Sequence, residues 1–192
     1  MIRSFTSSPL RMLHHRCFSS STTGVFGKIA CIGGGMMAQA MMEPMIEKKL
    51  QPAERFMVYD VNIPVLDKIR AQHPTIQIAS TVEDCVKDAD LVLCAVKPQN
   101  MTPEFLGQLA ASAPTRPNSI ALSVIAGQNI DVFRSQAGFE KVVRSMPNTP
   151  ATISAGMTVF ATTNNLTVEE RKKIEQVLSS CGTSVRIELT VP

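Results

Sequence analysis

The segment Ile29-Ala30-Cys31-Ile32-Gly33-Gly34-Gly35-Met36-Met37-Ala38 carries the clearest chemical signal in the chain. A short apolar run ends in Gly33-x-Gly35-x-x-Ala38, and a helical pattern follows. In a strand-loop-helix unit of this kind the first glycine permits a tight turn and the second lets the backbone approach a pyrophosphate, while a small third residue lets helix pack on strand. The helix start then offers unpaired N–H groups and the positive end of its dipole to phosphate oxygens. Ile32, Gly33, Gly34, Gly35, Met36 and Met37 are therefore candidates for holding a dinucleotide. Asp60 follows Ala38 by 22 residues, at the tip of a second apolar run, Met57-Val58-Tyr59-Asp60. A carboxylate there accepts both hydrogen bonds of an adenosine ribose diol and opposes a 2′-phosphate by like charge. That favours NADH over NADPH. The alternative use of Asp60 is to cap a helix starting near Ile63, with its side chain turned away from any nucleotide.

Such residues work only if a sheet brings them together, and the sequence outlines one. From Lys28 onward, short β-branched runs alternate with helical patterns. The strand candidates are 28–32, 56–59, 75–79, 91–95, 120–125, 141–144, 157–161 and 184–189. Ser80-Thr81-Val82-Glu83 and Thr167-Val168-Glu169-Glu170 each fit a capping box, with hydroxyl and carboxylate exchanging bonds with backbone amides. Thr102-Pro103 places proline at a first helical position, and Gly182 suits the left-handed residue after a last helix. Pro44 falls inside the helical pattern 36–50, where it removes a backbone bond and should kink the helix. The stretch 113–118 reads as a surface loop, and His73 before Pro74 as a surface residue without a role. The fold class is α/β: a Rossmann-like, doubly wound, mainly parallel sheet with helices on both faces over residues 27–190.

Charge and composition exclude several classes. The 192 residues carry 19 Lys and Arg against 16 Asp and Glu, a formal excess of +3. No acid precedes Glu43, and Arg3, Arg11 and Arg16 all fall within the first eighteen residues; without them 16 positive charges face 16 negative. A nucleic-acid binder would carry its cations as a stripe on the folded domain, so no nucleic-acid partner is expected. No apolar run approaches the roughly 18 to 20 residues that span a bilayer, so a soluble protein is expected. The acid-free, Arg- and Ser-rich segment 1–23 has the composition of an organellar transit peptide, with cleavage expected after Phe18. The location this implies is the mitochondrial matrix, with plastid or cytoplasm as alternatives. Cys17, Cys31, Cys85, Cys94 and Cys181 form no C-x-x-C pair and read as free thiols, Cys31 and Cys94 within apolar runs. No metal-ligand set is read from the sequence.

Four ordered blocks resemble pyrroline-5-carboxylate reductases, in the N-terminal half of that family: 32–37, Ala95-Val96-Lys97-Pro98-Gln99, Ser123-Val124-Ile125-Ala126-Gly127, and Val143-Arg144-Ser145-Met146-Pro147-Asn148-Thr149-Pro150. The resemblance implies binding of NAD(P)H, with residues 32 to 37 at the pyrophosphate and Asp60 at the adenosine ribose. It places Ala95, Val96, Lys97 and Pro98 beside the cofactor after the fourth strand, and Ala126 and Gly127 after the fifth. Asn148 falls beside the nicotinamide and the substrate, a small cyclic imine. The residues also have plainer uses: Lys97 as a solvated lysine at a strand end, Asn148 as a turn former between prolines. Asp60 replaces the small polar residue often found in NADPH-using members. The family continues into a helical domain that mediates dimerisation and supplies a hydroxyl near the imine, and the sequence stops at Pro192 without it; no catalytic residue is assigned.

The reaction so implied is hydride transfer to the C=N carbon of 1-pyrroline-5-carboxylate, giving L-proline, with little or no activity expected of this chain alone. Two alternatives stand beside it: a non-catalytic NAD(P)-binding module, and a related Rossmann oxidoreductase of the F420-dependent NADP oxidoreductase type. The Met-Pro-Asn-Thr-Pro block favours the proline enzyme. Loss of the helical domain should also expose an apolar patch larger than the few hundred Å² usual for monomers.

Overall fold

A computed structural model describes residues 24–148, 150–151 and 154–188. The leader 1–23, its Cys17, Thr149 and the end of the last strand candidate at Leu189 lie outside them. Eight strands form one sheet: β1 (Ile29–Ile32), β2 (Phe56–Tyr59), β3 (Gln77–Ile78), β4 (Leu91–Cys94), β5 (Ile120–Ser123), β6 (Lys141–Met146), β7 (Gly156–Thr162) and β8 (Gly182–Arg186). Their order is β3-β2-β1-β4-β5-β6-β7-β8. The first six run parallel, β7 is antiparallel to β6, and β8 is parallel to β7. All eight expected strands are present, with ends shifted by up to a few residues.

The helices are α1 (Met36–Glu47), α2 (Ile63–Gln72), α3 (Val82–Val86), α4 (Pro103–Ala111), α5 (Ile130–Ser135) and α6 (Val168–Ser180). Met41, Met42 and Met45 of α1, Leu66 and Ile69 of α2, and Ile174, Val177 and Leu178 of α6 bury one face of the sheet with Phe56, Val58 and Phe160. Cys85 of α3, Leu106 and Leu109 of α4 and Phe133 of α5 bury the other with Ile32, Val92, Cys94 and Val142. Every residue of β1, β4 and β5 is buried, as a central parallel strand covered on both faces requires.

Several local expectations are corrected. The cap of α3 is Thr81 and not Ser80: its hydroxyl accepts from the Asp84 N–H at 3.1 Å. Helix α1 runs through the buried Pro44 but ends at Glu47, short of Leu50. Lys49 there takes a φ of 56°, and the N–H groups of Leu50 and Gln51 both turn back to the Met45 carbonyl. Gly182 has positive φ as expected, yet it opens β8 directly; a Cβ on it would run into the Gly156 backbone, so the close approach of β7 and β8 demands glycine. The stretch 113–118 is no simple surface loop. A short 3-10 turn (Ala113–Thr115) leads into Arg116, which is 3% exposed, donates to the carbonyls of Leu109 (2.6 Å) and Ala137 (2.7 Å), and stacks 3.6 Å from the Phe139 ring centroid. Burial lowers its pKa to about 10, and the nearby Cys94 acts in the opposite direction, so the guanidinium stays charged at neutral pH. His73 is half-buried and tied by its Nε2 to Glu43 at 2.7 Å, fastening the end of α2 to α1.

Candidate dinucleotide crevice

Parallel register sets the site. Ile32 pairs with Tyr59 on one side and Cys94 on the other, and Cys94 pairs with Ser123. The residues that follow, Gly33, Asp60, Ala95 and Val124, therefore emerge along one edge although the sequence scatters them. Between β1 and β4 the chain switches from helices on one face to helices on the other, and open α/β sheets bind ligands at such a point.

The glycine loop is shaped by what surrounds it. Gly33 donates to the Tyr59 carbonyl at 2.8 Å with φ +93°, and a Cβ there would come within 2.8 Å of the Ala95 carbonyl oxygen. The Gly34 N–H donates to Asp60 Oδ2 at 2.7 Å, and Asp60 Oδ1 accepts from the Asn62 N–H at 2.8 Å. Two backbone donors thus hold the carboxylate against the loop. The N-cap of α2 is Asn62, without a side-chain cap bond, so Asp60 is not turned away as a helix cap. Gln39, which the sequence reading did not single out, donates from Nε2 to the Gly34 carbonyl at 2.7 Å and steadies the loop from inside α1.

Helices α1 and α2 start without a side-chain cap or an acid in the first turn, unlike the four that follow. Hydroxyl or amide oxygens cap α3, α4, α5 and α6 through Thr81, Thr102, Asn129 and Thr167. Thr167 completes the expected capping box with Glu170. At α1 the cap residue is Gly35, which offers no side-chain bond, and the first turn has no acid. A Cβ on Gly35 would meet nothing within 4 Å. The first N–H groups of α1 thus take no side-chain cap, and they carry the positive end of the helix dipole. Met36 is exposed and Met37 half-buried at this opening.

The other rim is less enclosed. Ala95 and Val96 are half-buried, Lys97 and Pro98 exposed, and the Ala95 N–H is held by the Ile32 carbonyl at 2.8 Å. Ala126 and Gly127 are exposed in the turn after β5, Gly127 with φ +75°. Asn148 is exposed beyond β6; its Oδ1 accepts from the Met157 N–H at 2.9 Å and its carbonyl from the Ala151 N–H at 3.0 Å, as a turn former would. On the far side of Tyr59 a cleft of about 350 Å³ opens between α3 and α4, lined by Thr81, Val82, Glu83 and Gln108 among others. Burial pushes the Cys94 thiol, just below this edge, up to about 12, and that of Cys31 well above its ordinary value. Neither thiol is a nucleophile at neutral pH. Among the described residues no cluster of His, Cys, Asp or Glu could hold a metal, and no helix is long and apolar enough to cross a membrane.

Residues 28–127 match the model of the family described as NADP oxidoreductase, coenzyme F420-dependent. The chain belongs to that family. It is similar to the pyrroline-5-carboxylate reductases of Synechocystis (30% identical over 162 residues, 83% of this chain and 58% of the relative) and of Aquifex aeolicus (34% over 167 residues, 84% and 57%). Human pyrroline-5-carboxylate reductase 2 is 28% identical over 166 residues, 83% of this chain and 50% of its own. The resemblance carried by the four blocks is thus borne out, and the chain spans between half and three-fifths of the length of these relatives. Among solved structures, a Coxiella burnetii pyrroline-5-carboxylate reductase aligns with a TM-score of 0.78 at 21% identity, covering 85% of this chain and 60% of that one. The Plasmodium falciparum enzyme with NADP bound aligns at 0.70 and 23%, covering 83% and 57%. These two share the fold.

Proposed function

We propose that this domain binds NADH and serves the reduction of 1-pyrroline-5-carboxylate to L-proline. The observation that carries the reading is the start of α1: uncapped, beside an Asp60 carboxylate fixed on the Gly34 N–H, at the sheet's switch point. These groups fit a dinucleotide. The amides after Gly35 would take the pyrophosphate, and Asp60, with both oxygens oriented by backbone donors, would accept the ribose hydroxyls. Residues 60–63, Asp-Val-Asn-Ile, offer no cation to a 2′-phosphate, which supports NADH over NADPH.

When bound, a reduced nicotinamide supplies hydride, and the protein's part is to orient it and exclude water. Ala95 to Pro98 and Ala126-Gly127 would flank the cofactor, with Asn148 at the ring end. Because Ala126, Gly127, Met146 and Asn148 are all exposed, the described residues leave that end open to water. We therefore expect the 192-residue polypeptide to bind the cofactor but to turn the imine over slowly by itself. Calorimetric titration tests the reading: NADH binds at least about tenfold more tightly than NADPH, and Asp60→Ser narrows or inverts that ratio. No binding of either at millimolar concentration sinks the proposal, and turnover at an ordinary enzyme rate sinks its second half. The leader composition supports the mitochondrial matrix as location; a native N-terminus still at Met1 or Ile2 would count against import.

A further inference from the structure

Gly33, Gly34 and Gly35 stand in succession where the chain passes from β1 into α1. Glycine takes either sign of φ at little cost, so these residues do not themselves fix which way their peptide planes turn. The direction matters, because a pyrophosphate is held by amides aimed at it. The Gly33 N–H is held by the Tyr59 carbonyl and the Gly34 N–H by Asp60. The next two peptide units are both held by one residue of α1. The backbone N–H of Gln39 donates to the Gly35 carbonyl at 3.0 Å, and its side-chain Nε2 donates to the Gly34 carbonyl at 2.7 Å. The first bond is the ordinary one of a helical turn. The second lies outside the helix, since Gly35 is already the cap residue of α1.

A trans peptide points its C=O and its N–H in opposite directions, and the described residues contain no cis bond. With the carbonyls of Gly34 and Gly35 both turned toward Gln39, the N–H groups of Gly35 and Met36 are both turned away from it. We propose that Gln39 is a positioning residue for the cofactor's pyrophosphate. Its side chain adds the Gly34–Gly35 peptide to the aligned units of α1, and so gives the helix start one more donor, on Gly35, than the helix alone supplies. This rests on the dinucleotide reading given above. Packing does not do the same work: a Cβ on Gly35 would meet nothing within 4 Å, so no neighbour resists a turn of the peptide. Were that peptide to turn over, a carbonyl oxygen would face the phosphate where a donor is needed. The chemistry of the side chain is also specific. A carbonyl only accepts, so the amide nitrogen of Gln39 must face it, and a glutamate of the same length would present a second acceptor when ionised.

Calorimetric titration of the full chain with ADP-ribose tests this, since that ligand carries the pyrophosphate and lacks the acid-labile reduced nicotinamide. Gln39→Met keeps a long unbranched side chain and helix propensity but removes the donor. It is expected to weaken binding about fivefold. Gln39→Glu binds more weakly still at about pH 8, where an ionised carboxylate faces the Gly34 carbonyl, and recovers as pH falls to about 4.5, near the ordinary carboxyl pKa. There it overtakes Gln39→Met, because a protonated carboxyl donates again; relief of charge alone would bring it only level. Asp60, Glu43 and His73 titrate in every variant, so each affinity is read as a ratio to that of the unsubstituted chain at the same pH. Gln39 is half-buried on the side of α1, and circular dichroism checks that each variant is folded. Should Gln39→Met not fold, Gln39→Leu takes its place as the variant without a donor. Undiminished binding by the variant without a donor overturns the assignment, as does a Gln39→Glu chain that never exceeds it in acid; either result leaves the dinucleotide reading intact. An unsubstituted chain that binds no ADP-ribose overturns both.

Discussion

The sheet has two unlike halves. In β1, β4 and β5 every residue is buried, because α1 and its companions close one face and α3 to α5 the other. In β7 burial alternates: Gly156, Thr158 and Phe160 are inside, Met157 and Val159 outside. The first half is finished by its own chain and presents its chemistry only at strand ends. In the second, the described residues cover one side, and the other leaves Met146, Met157 and Val185 exposed. Continuous apolar runs such as Ile-Ala-Cys-Ile and Leu-Val-Leu-Cys mark the former, while alternation marks the latter.

Substituting core residues breaks this comparison most sharply. Leu93→Ala in β4, where the side chain is 1% exposed, is expected to cost about 3 kcal/mol in chemical denaturation. Val185→Ala in β8, where the side chain is 43% exposed, is expected to cost under about 0.5 kcal/mol. Equal losses at both positions would mean that Val185 is covered in solution.

The same contrast governs what the sequence disclosed. Strands and glycine loop were legible because burial on two faces and a phosphate-binding turn each impose a strict pattern on neighbouring residues. Asp60 was legible as a candidate, but only the hydrogen bond from Gly34 decides between its two orientations. Arg116 was illegible: a Pro-Thr-Arg-Pro-Asn run looks solvent-exposed, and its partners Leu109, Ala137 and Phe139 come from elements on both sides of it. His73 was hidden for the same reason, its partner Glu43 lying thirty residues away. The one-residue error at Thr81 arose because adjacent hydroxyls offer the same cap, and only the bond from the Asp84 N–H to Thr81 decides between them.

Arg116 offers the next largest effect. Arg116→Ala removes the donor shared by the Leu109 and Ala137 carbonyls and is expected to destabilise the covered half by about 2 kcal/mol. Hydrogen exchange should localise the loss to α4 and α5; a loss spread equally over β7 and β8 would contradict that placement.

The smallest effect sharpens the other half. Glu170 closes the capping box of α6 and meets Lys141 of β6 at 2.6 Å. Burial works against its carboxylate, but hydrogen bonds from Lys141 and Thr167 outweigh this and hold its pKa below the ordinary value. A carboxylate with a lower pKa in the folded than in the unfolded chain contributes its stability in full above the unfolded value, near 4.3. That contribution fades as pH falls through the folded value. Glu170→Gln is expected to cost about 1 kcal/mol at pH 7 and progressively less in acid. A cost that does not change between pH 7 and pH 3 would remove the carboxylate from this role.

The bond between Gly34 and Asp60 spans 26 residues, and the pocket edge also needs Ala95 delivered by β4. No stretch of sequence short enough to fold locally contains the crevice, so it comes into being only when three separated strands have found their register. Ligand binding at this edge would then be a late event in folding and a test of global order: a protease or a denaturant acting anywhere on the parallel half would be opposed by the cofactor, however far from the glycines it strikes.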